Sequence, residues 1–237
     1  MNFTPDKTFV IGSGGSGGHL IPALARLLAY HKNTQGSTLT VIDGDEYEEK
    51  NMTRQIVAPS QVGLNKAQAM KDFCNYQGLE NVDYKADFIS SSTFIPMLRR
   101  SEAPMIIACV DNDATRLALI NAINSMSEDK DFFFITPGNS DGVDEVKGQT
   151  LWYGRIGGVK VGCNPALVYP NIDNPQDSIP HQGSCALHAP SRPQLIAANF
   201  MAASITLMVI QNLLDGQIDP SQSSMFFNLR NLKTSAA

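Results

Sequence analysis

The chain of 237 residues is long enough for one large α/β domain, and only 17% of its residues are charged while 43% are hydrophobic, which favours a compact fold around a buried sheet. Its net charge of −5 and the lack of any basic stretch longer than Arg99-Arg100 argue against nucleic-acid binding. The four scattered cysteines form no C-x-x-C pair, and no signal-peptide pattern is visible, so we expect a cytoplasmic protein without a zinc ribbon or a membrane segment.

The first predicted element is a strand that leads directly into a glycine-rich turn. An apolar run, Phe9 to Ile11, is the strand, and an Ala- and Leu-rich helix is predicted over Ile21 to Tyr30. Between them stand five glycines: Gly12, Gly14, Gly15, Gly17 and Gly18. Gly12, Gly14 and Gly17 fit the spacing G-x-G-x-x-G, in which a Cβ would block the tight turn and the approach of phosphates. The pattern predicts a phosphate-binding turn, but it suits dehydrogenases, methyltransferases and ATP-using adenylating enzymes equally well.

Two continuously apolar runs, Leu39 to Asp43 and Met105 to Asp111, predict parallel strands covered on both faces. Both runs end in an aspartate. Between them the pattern predicts a helix over Gly63 to Tyr76, a short strand over Asn81 to Ala86 and a helix over Ser92 to Arg100. Strands that alternate with helices in this way imply right-handed crossovers and a parallel sheet.

The alternation continues with a helix over Ala114 to Met126 and a buried strand over Phe132 to Thr136. After residue 137, glycines and aspartates become frequent. Thr150 to Tyr153 and Val159 to Gly162 are predicted as antiparallel extensions of the sheet, and Tyr169 to Pro193 as a long crossover loop.

The last long helix is predicted over Gln194 to Leu214, where Asp215-Gly216 ends it. Its stripe of apolar residues is expected in the core: Met201, Ile205, Met208 and Val209. A final run, Met225 to Leu229, is predicted as an edge strand. The expected fold is one doubly wound, Rossmann-like α/β domain over residues 1–237, with a mainly parallel sheet and helices on both faces.

Polar side chains follow the predicted strands at the sheet edge where ligands bind in open α/β sheets. Asp43 can accept hydrogen bonds from a ribose, whether of ATP or of NAD. Arg54 and Lys66 add two cations, which suits a triphosphate whose charge rises during transfer. Asp111 offers a carboxylate for a magnesium ion that bridges phosphates, although the same residue type also caps helices.

This series resembles the superfamily of ThiF, MoeB and ubiquitin-activating enzymes. The positions that match its pattern, in order, are Gly12, Gly14 and Gly17, Asp43, Asn51-x-x-Arg54-Gln55, Gly63-x-x-Lys66 and Asp111-Asn112. The match in order and spacing extends over Thr8 to Arg116. Within the superfamily, the short chain is most similar to the ThiF-related proteins of plasmid-associated PRTRC cassettes.

The resemblance implies that the chain uses ATP and Mg²⁺ to adenylate the C-terminal carboxylate of a ubiquitin-like or sulfur-carrier protein, with release of pyrophosphate. By position, Asp43 would hold the ribose, and Asp111 would hold magnesium. Phosphate binding is implied for Asn51, Arg54 and Lys66, with Gln55 supporting that segment and with Gly15 and Asn112 in the same nucleotide site. The resemblance also implies a homodimer.

Cys185 lies in the stretch H-Q-G-S-C-A-L-H within the predicted crossover loop, where members of this superfamily carry a cysteine that accepts the activated acyl group. His181 and His188 flank it, and as imidazolium neighbours they would lower the pKa of its thiol. The alternative is an incidental loop thiol. Cys74 and Cys109 stand in apolar segments and are predicted as core thiols.

Two other functions remain open at this point. Members of the superfamily commonly carry an N-terminal arginine that reaches the ATP of the partner subunit, whereas Met1 to Thr8 contains none. This departure favours a non-catalytic module that binds ATP and a ubiquitin-like protein. A weaker alternative is an NAD-dependent oxidoreductase, because the glycine turn and Asp43 suit that cofactor as well.

Overall fold

The computed structural model describes residues 1–34, 36–139, 146–181 and 196–237. The strands are β1 (Lys7–Ile11), β2 (Thr38–Ile42), β3 (Val82–Lys85), β4 (Pro104–Ala108), β5 (Phe132–Asn139), β6 (Lys147–Ile156), β7 (Val159–Gly162), β8 (Ser224–Asn228) and β9 (Lys233–Ala236). The α-helices are α1 (Gly15–Tyr30), α2 (Lys66–Tyr76), α3 (Ser91–Leu98), α4 (Asp113–Asn124), α5 (Pro165–Val168) and α6 (Ile196–Leu214). Short 3-10 helices cover Glu49–Thr53, Pro59–Gln61 and Pro170–Ile172.

All these strands belong to one nine-stranded sheet, in the order β3-β2-β1-β4-β5-β6-β8-β9 with β7 paired to β6. The strands from β3 to β5 are parallel. From β6 onward the pairing is antiparallel. The predicted Rossmann-like architecture with antiparallel strands in its C-terminal part is therefore confirmed.

Helices cover both faces of the sheet, and each face has its own hydrophobic core. On one face, α1, α2 and α6 pack together over side chains such as Val10, Val41 and Ile107. On the other face, α3 and α4 pack over Phe9 and Phe134. These five side chains, at most 2% exposed, lie in β1, β2, β4 and β5. Burial on both sides explains why those strands are continuously apolar in sequence rather than alternating.

Several boundaries differ from the sequence pattern. Helix α1 begins at Gly15, inside the glycine stretch, and not at Ile21. Strand β8 lies between β6 and β9, so the prediction of an edge strand at Met225 to Leu229 is wrong. The apolar stripe of α6 is not wholly in the core as predicted, because Met208 is 45% exposed.

One helix among the described residues, α6, is long and apolar enough to cross a membrane by composition, with a mean hydropathy of 1.5. Half of this apolar stretch is buried inside the protein, and α6 packs against α1, β5 and β6. Its apolar character is therefore explained by its place in the core of the domain.

Candidate functional site

The candidate site lies at the C-terminal ends of β1, β2 and β4, where the direction of strand order reverses. The backbone N–H of Gly12 donates to the Ile42 carbonyl at 2.9 Å, and the N–H of Cys109 donates to the Ile11 carbonyl at 2.8 Å. These bonds bring the glycine turn, the end of β2 and the segment after β4 to the same sheet edge. This is the position at which open α/β sheets bind ligands.

Two glycines of the turn are required by the fold itself. Gly12 has φ +90°, and a Cβ there would lie 2.5 Å from the carbonyl oxygen of Cys109. A Cβ on Gly17 would overlap the carbonyl oxygen of Gly12. Gly14 is different, because the nearest atom to its ideal Cβ position is Gln55 Nε2 at 3.6 Å, an ordinary contact distance. Space is therefore left beside Gly14 at the mouth of the turn.

Helix α1 starts within this turn, and in the described part of the chain no side chain caps it. By contrast, a side-chain oxygen accepts from the first-turn N–H groups of α2 (Asn65), α3 (Ser90) and α4 (Asn112). No acidic residue stands in the first turn of α1 either. Uncapped N–H groups and the positive end of the helix dipole make this an anion-binding end.

Asp43 joins the glycine turn to the end of β2. Its Oδ2 accepts from the Ser13 N–H at 2.7 Å and from Ser13 Oγ at 3.0 Å, while its Oδ1 accepts from the Asp45 N–H at 2.9 Å. Burial raises the pKa of Asp43, and the neighbouring Lys66 ammonium opposes that rise. An ionised carboxylate has about four acceptor positions, so Asp43 retains capacity for a ribose hydroxyl.

Lys66 is a buried cation, with 8% of its surface exposed, and it is the first residue of α2. Its Nζ lies 3.1 Å from Asp45 Oδ2. Asn65, which caps the same helix, donates to the carbonyls of Asp43 and Asp45 at 2.9 and 3.0 Å. The start of α2 is thereby held against the end of β2, and Lys66 is not a solvated surface charge.

The segment that carries Asn51, Arg54 and Gln55 forms and follows a 3-10 helix. Asn51 is buried, and its Oδ1 accepts from the Glu48 N–H at 2.9 Å, so it fixes the local turn. Gln55 reaches the glycine turn, and its buried Oε1 has no hydrogen-bond partner among the residues that the structure describes. Arg54 is half-buried, and within the described part of the chain its guanidinium forms no hydrogen bond or ion pair. An unengaged cation therefore stands next to the residue that contacts the turn.

Asp111 and Asn112 have different surroundings. Asn112 caps α4, with its Oδ1 accepting from the Thr115 N–H at 2.8 Å. Asp177, which the sequence did not single out, accepts from the N–H groups of Asp113 and Ala114, both at 2.8 Å. Asp111 is exposed and, among the described residues, forms no hydrogen bond or ion pair. Asn112 and Asp177 therefore supply the cap of α4 that was the alternative role of Asp111.

A polar cavity of about 180 Å³ lies beside the start of α4. Arg116 lines it and is held by Asp113 Oδ1 at 2.7 Å and by Thr136 Oγ1 at 3.2 Å. Gln149 and Asn171 add carboxamides to its wall. Arg116 closes the stretch that resembles the family, but sequence reasoning gave it no role, because its contact with Thr136 of β5 and the cavity wall that the segment after α5 completes form only in the folded chain.

Three of the four cysteines lie among the described residues: Cys74 is buried, and Cys109 and Cys163 are partly buried. Burial raises the pKa of the Cys74 thiol to about 11 and that of Cys109 to about 12, which makes both inert, as predicted for core thiols. Cys185 and its neighbour His188 lie outside the described residues, so the acyl-accepting role of Cys185 stays a prediction.

His19, on α1, stacks on Phe200 of α6 with ring centroids 3.8 Å apart. Both of its ring nitrogens are buried and have no hydrogen-bond partner within the described ranges. Burial lowers the pKa of His19 from 6.5. The unfolded chain therefore binds a proton at this site at higher pH than the folded chain does. We expect the free energy of unfolding to fall as the pH drops below about 6.5. Urea denaturation between about pH 7.5 and about pH 5.5 measures this loss.

The matched variant is His19→Leu, which keeps an apolar contact with Phe200 and cannot be protonated. It is expected to lose less stability than the wild type over the same pH range. An equal loss in both proteins would show that other groups cause the pH dependence.

Comparison with known proteins places this site in context. A model of the ThiF family matches residues 4–231. PaaA is structurally similar, with a TM-score of 0.65 and 20% identity over 98% of this chain and 63% of PaaA. E. coli MccB, solved with ATP, gives 0.64 and 17% over 99% of this chain and 64% of MccB. The microcin C7 biosynthetic enzyme MccB in complex with N-formylated MccA gives 0.63 and 18% over 98% and 64%.

At these identities the likeness to solved structures shows a shared fold, and this chain spans only 63–64% of the length of those proteins. A search of curated proteins found no match. The family model, by contrast, covers the glycine turn, the residues that surround it and both helical faces of the sheet. The chain therefore belongs to the ThiF family.

Proposed function

We propose that this chain binds ATP with Mg²⁺ at the uncapped start of α1 and uses it to adenylate the C-terminal carboxylate of a peptide or small protein. The observation that carries the proposal is the uncapped N-terminus of α1, which Ser13 joins to Asp43 at the end of β2, within reach of the charge of the buried Lys66. Phosphates satisfy such N–H groups and the helix dipole. A structure of MccB, which shares the fold, contains ATP.

The residues around the turn suit a nucleotide triphosphate. Asp43 faces the turn through Ser13 and supports ribose binding. Lys66 and Arg54 are the cations assigned to the phosphates, and a phosphate would compete with Asp45 for the Lys66 ammonium. Charge-assisted contacts of this kind strengthen as negative charge develops in the transition state.

Magnesium fits the same edge of the sheet. Mg²⁺ is usually held by one or two carboxylates together with substrate phosphates and waters, and Asp111 offers one exposed carboxylate. Within the described ranges, no group of three or more His, Cys, Asp or Glu residues forms a closed metal site. When bound, the ion neutralises phosphate charge, while the chain positions the nucleotide.

For the acceptor, we propose a ubiquitin-like or sulfur-carrier protein whose C-terminal tail enters from the side of β5 and β6. The cavity beside α4 is small and polar, and Arg116, Gln149 and Asn171 line it. Carboxamide and guanidinium groups of this kind can donate hydrogen bonds to the carbonyl oxygens of an extended peptide. A structure of MccB, which shares the fold, is a complex with N-formylated MccA.

The proposal is tested by calorimetry and by isotope exchange. ATP with Mg²⁺ is expected to bind the wild-type chain, and NAD is not. Exchange of labelled pyrophosphate into ATP is expected with a ubiquitin-like carrier that ends in a free glycine carboxylate, and not with the same carrier amidated at its C-terminus. ATP binding without exchange for any carrier tested would support the non-catalytic module instead. Binding of NAD in preference to ATP would favour the oxidoreductase.

We also propose that the chain works as a homodimer through the outer face of α6 and the neighbouring part of α1. Helix α6 contains no charged residue, yet Ile196, Phe200 and Met208 are 48%, 51% and 45% exposed. An apolar cavity of about 630 Å³ continues this surface onto α1. Exposed apolar surface of this kind marks association sites.

Sedimentation velocity at micromolar concentration is expected to show a wild-type dimer, and Met208→Lys is expected to shift it to monomer because it places a charge in the apolar face. The control is Leu232→Lys, an 85% exposed position on the turn between β8 and β9, which is expected to stay dimeric. A monomeric wild type under these conditions would contradict the proposal.

A further inference from the structure

Asn199 connects α6 to the glycine turn. The side chain is fully buried, with 0% exposed surface. Its Oδ1 accepts from Asn139 Nδ2 at 2.7 Å and from Ser16 Oγ at 3.4 Å. Ser16 lies in the first turn of α1, and Asn139 is the last residue of β5. Two donors thus converge on the carbonyl end of one carboxamide, which sets its orientation.

The other end of that carboxamide has no partner among the described residues. Asn199 Nδ2 is buried without a hydrogen bond in that part of the chain, and it lies against Gly15, where an ideal Cβ would overlap it. Because Oδ1 is held by Asn139 and Ser16, the amide presents its N–H groups to the start of α1. An unpaired buried donor is costly, and native structures keep such groups mainly where a ligand or a function requires them.

The contact between Asn199 and Gly15 also explains why a glycine stands at position 15. Gly15 is not one of the three G-x-G-x-x-G positions, but no larger residue fits there beside Asn199. Gln55 approaches the adjoining Gly14. The uncapped start of α1 therefore lies between a carboxamide from the segment after β2 and one from the C-terminal helix.

We propose that Asn199 is a nucleotide-binding residue, whose Nδ2 donates a hydrogen bond to a phosphate oxygen held at the start of α1. The ligand chemistry follows from the group on offer. A carboxamide nitrogen only donates, and the free N–H groups of the α1 turn only donate, so the complementary ligand is an anion with several acceptor oxygens. This inference rests on the proposed function, because it assigns a further contact in the same ATP site.

The test compares ATP affinities by calorimetry in the presence of Mg²⁺. Asn199→Ala is expected to bind ATP at least about fivefold more weakly than the wild type, because one hydrogen bond to a charged group is lost. Asn199→Asp is expected to be weaker again, since it sets a carboxylate against the phosphate. Asn75→Ala, the same substitution at an exposed position near the end of α2, is the matched control and is expected to bind like the wild type.

The thermal midpoint of each ligand-free variant separates a folding defect from a binding defect. If the Asn199 variants do not fold, the side-chain amide resonances of Asn199 in the wild-type protein are followed by NMR during an ATP titration, and a shift is expected on binding. ATP affinity unchanged in folded Asn199→Ala, or no shift on saturation, overturns this inference alone. A wild type that does not bind ATP overturns the proposed function and this inference with it.

Discussion

Replacement of Arg54 by alanine is expected to weaken ATP binding roughly tenfold or more, because one charge-assisted contact to a phosphate is typically worth about 1.5–3 kcal/mol. Of the two cations assigned to the phosphates, Arg54 and Lys66, Arg54 is the one whose removal disturbs fewer other contacts. Within the described residues its guanidinium has no partner, so the substitution leaves no other charge unpaired. Calorimetric titration with ATP and Mg²⁺ measures the effect.

Lys66→Ala is expected to lose at least as much ATP affinity, and it has a second consequence. The substitution deprives Asp45 of a buried cation 3.1 Å away and removes an attraction that opposes the raised pKa of Asp43. The ligand-free Lys66 variant should therefore also be less stable than Arg54→Ala, by urea denaturation.

Lys50→Ala is the matched control for both cations. Lys50 lies in the same segment, but its side chain is 60% exposed, and among the described residues its ammonium pairs only with the exposed Glu48. Removal of an exposed pair costs little, so this variant is expected to bind ATP like the wild type. Wild-type affinity in both Arg54→Ala and Lys66→Ala would show that neither residue holds a phosphate.

Gly14→Ala and Gly17→Ala are expected to fail in different ways. At Gly17 the new Cβ would overlap the carbonyl oxygen of Gly12, so the turn must shift. Overpacking of this kind costs about 1–3 kcal/mol, and ATP binding is expected to be lost together with that stability. At Gly14 the nearest atom is 3.6 Å away, so the ligand-free fold has room for the Cβ.

Gly14→Ala is therefore expected to keep the wild-type free energy of unfolding and to lose ATP affinity, since its Cβ occupies the space that a phosphate needs. Urea denaturation and calorimetry on both variants separate the two effects. If Gly14→Ala binds ATP as the wild type does, phosphates do not approach the turn from the side of Gly14.

Much of the architecture was predictable from the sequence. The apolar runs at β1, β2, β4 and β5 lack the alternation of a half-exposed sheet, and strands buried on both faces have to be built this way. The G-x-G-x-x-G spacing and the D-N pair likewise predicted which edge of the sheet carries the candidate site, because local backbone requirements restrict the residue types at neighbouring positions.

The contacts that those residues make depend on the folded chain and could not be predicted from the sequence. Gly12 is required by the fold because the Cys109 carbonyl lies where its Cβ would be. Lys66 can be buried because its ammonium pairs with Asp45. Asn199 and Asp177 left no local pattern, since each acts on a helix start that is distant in sequence. Contacts of this kind form only when the strands and helices come together at the sheet edge. A single sequence shows which residue types are present, but it does not show which of them contact each other.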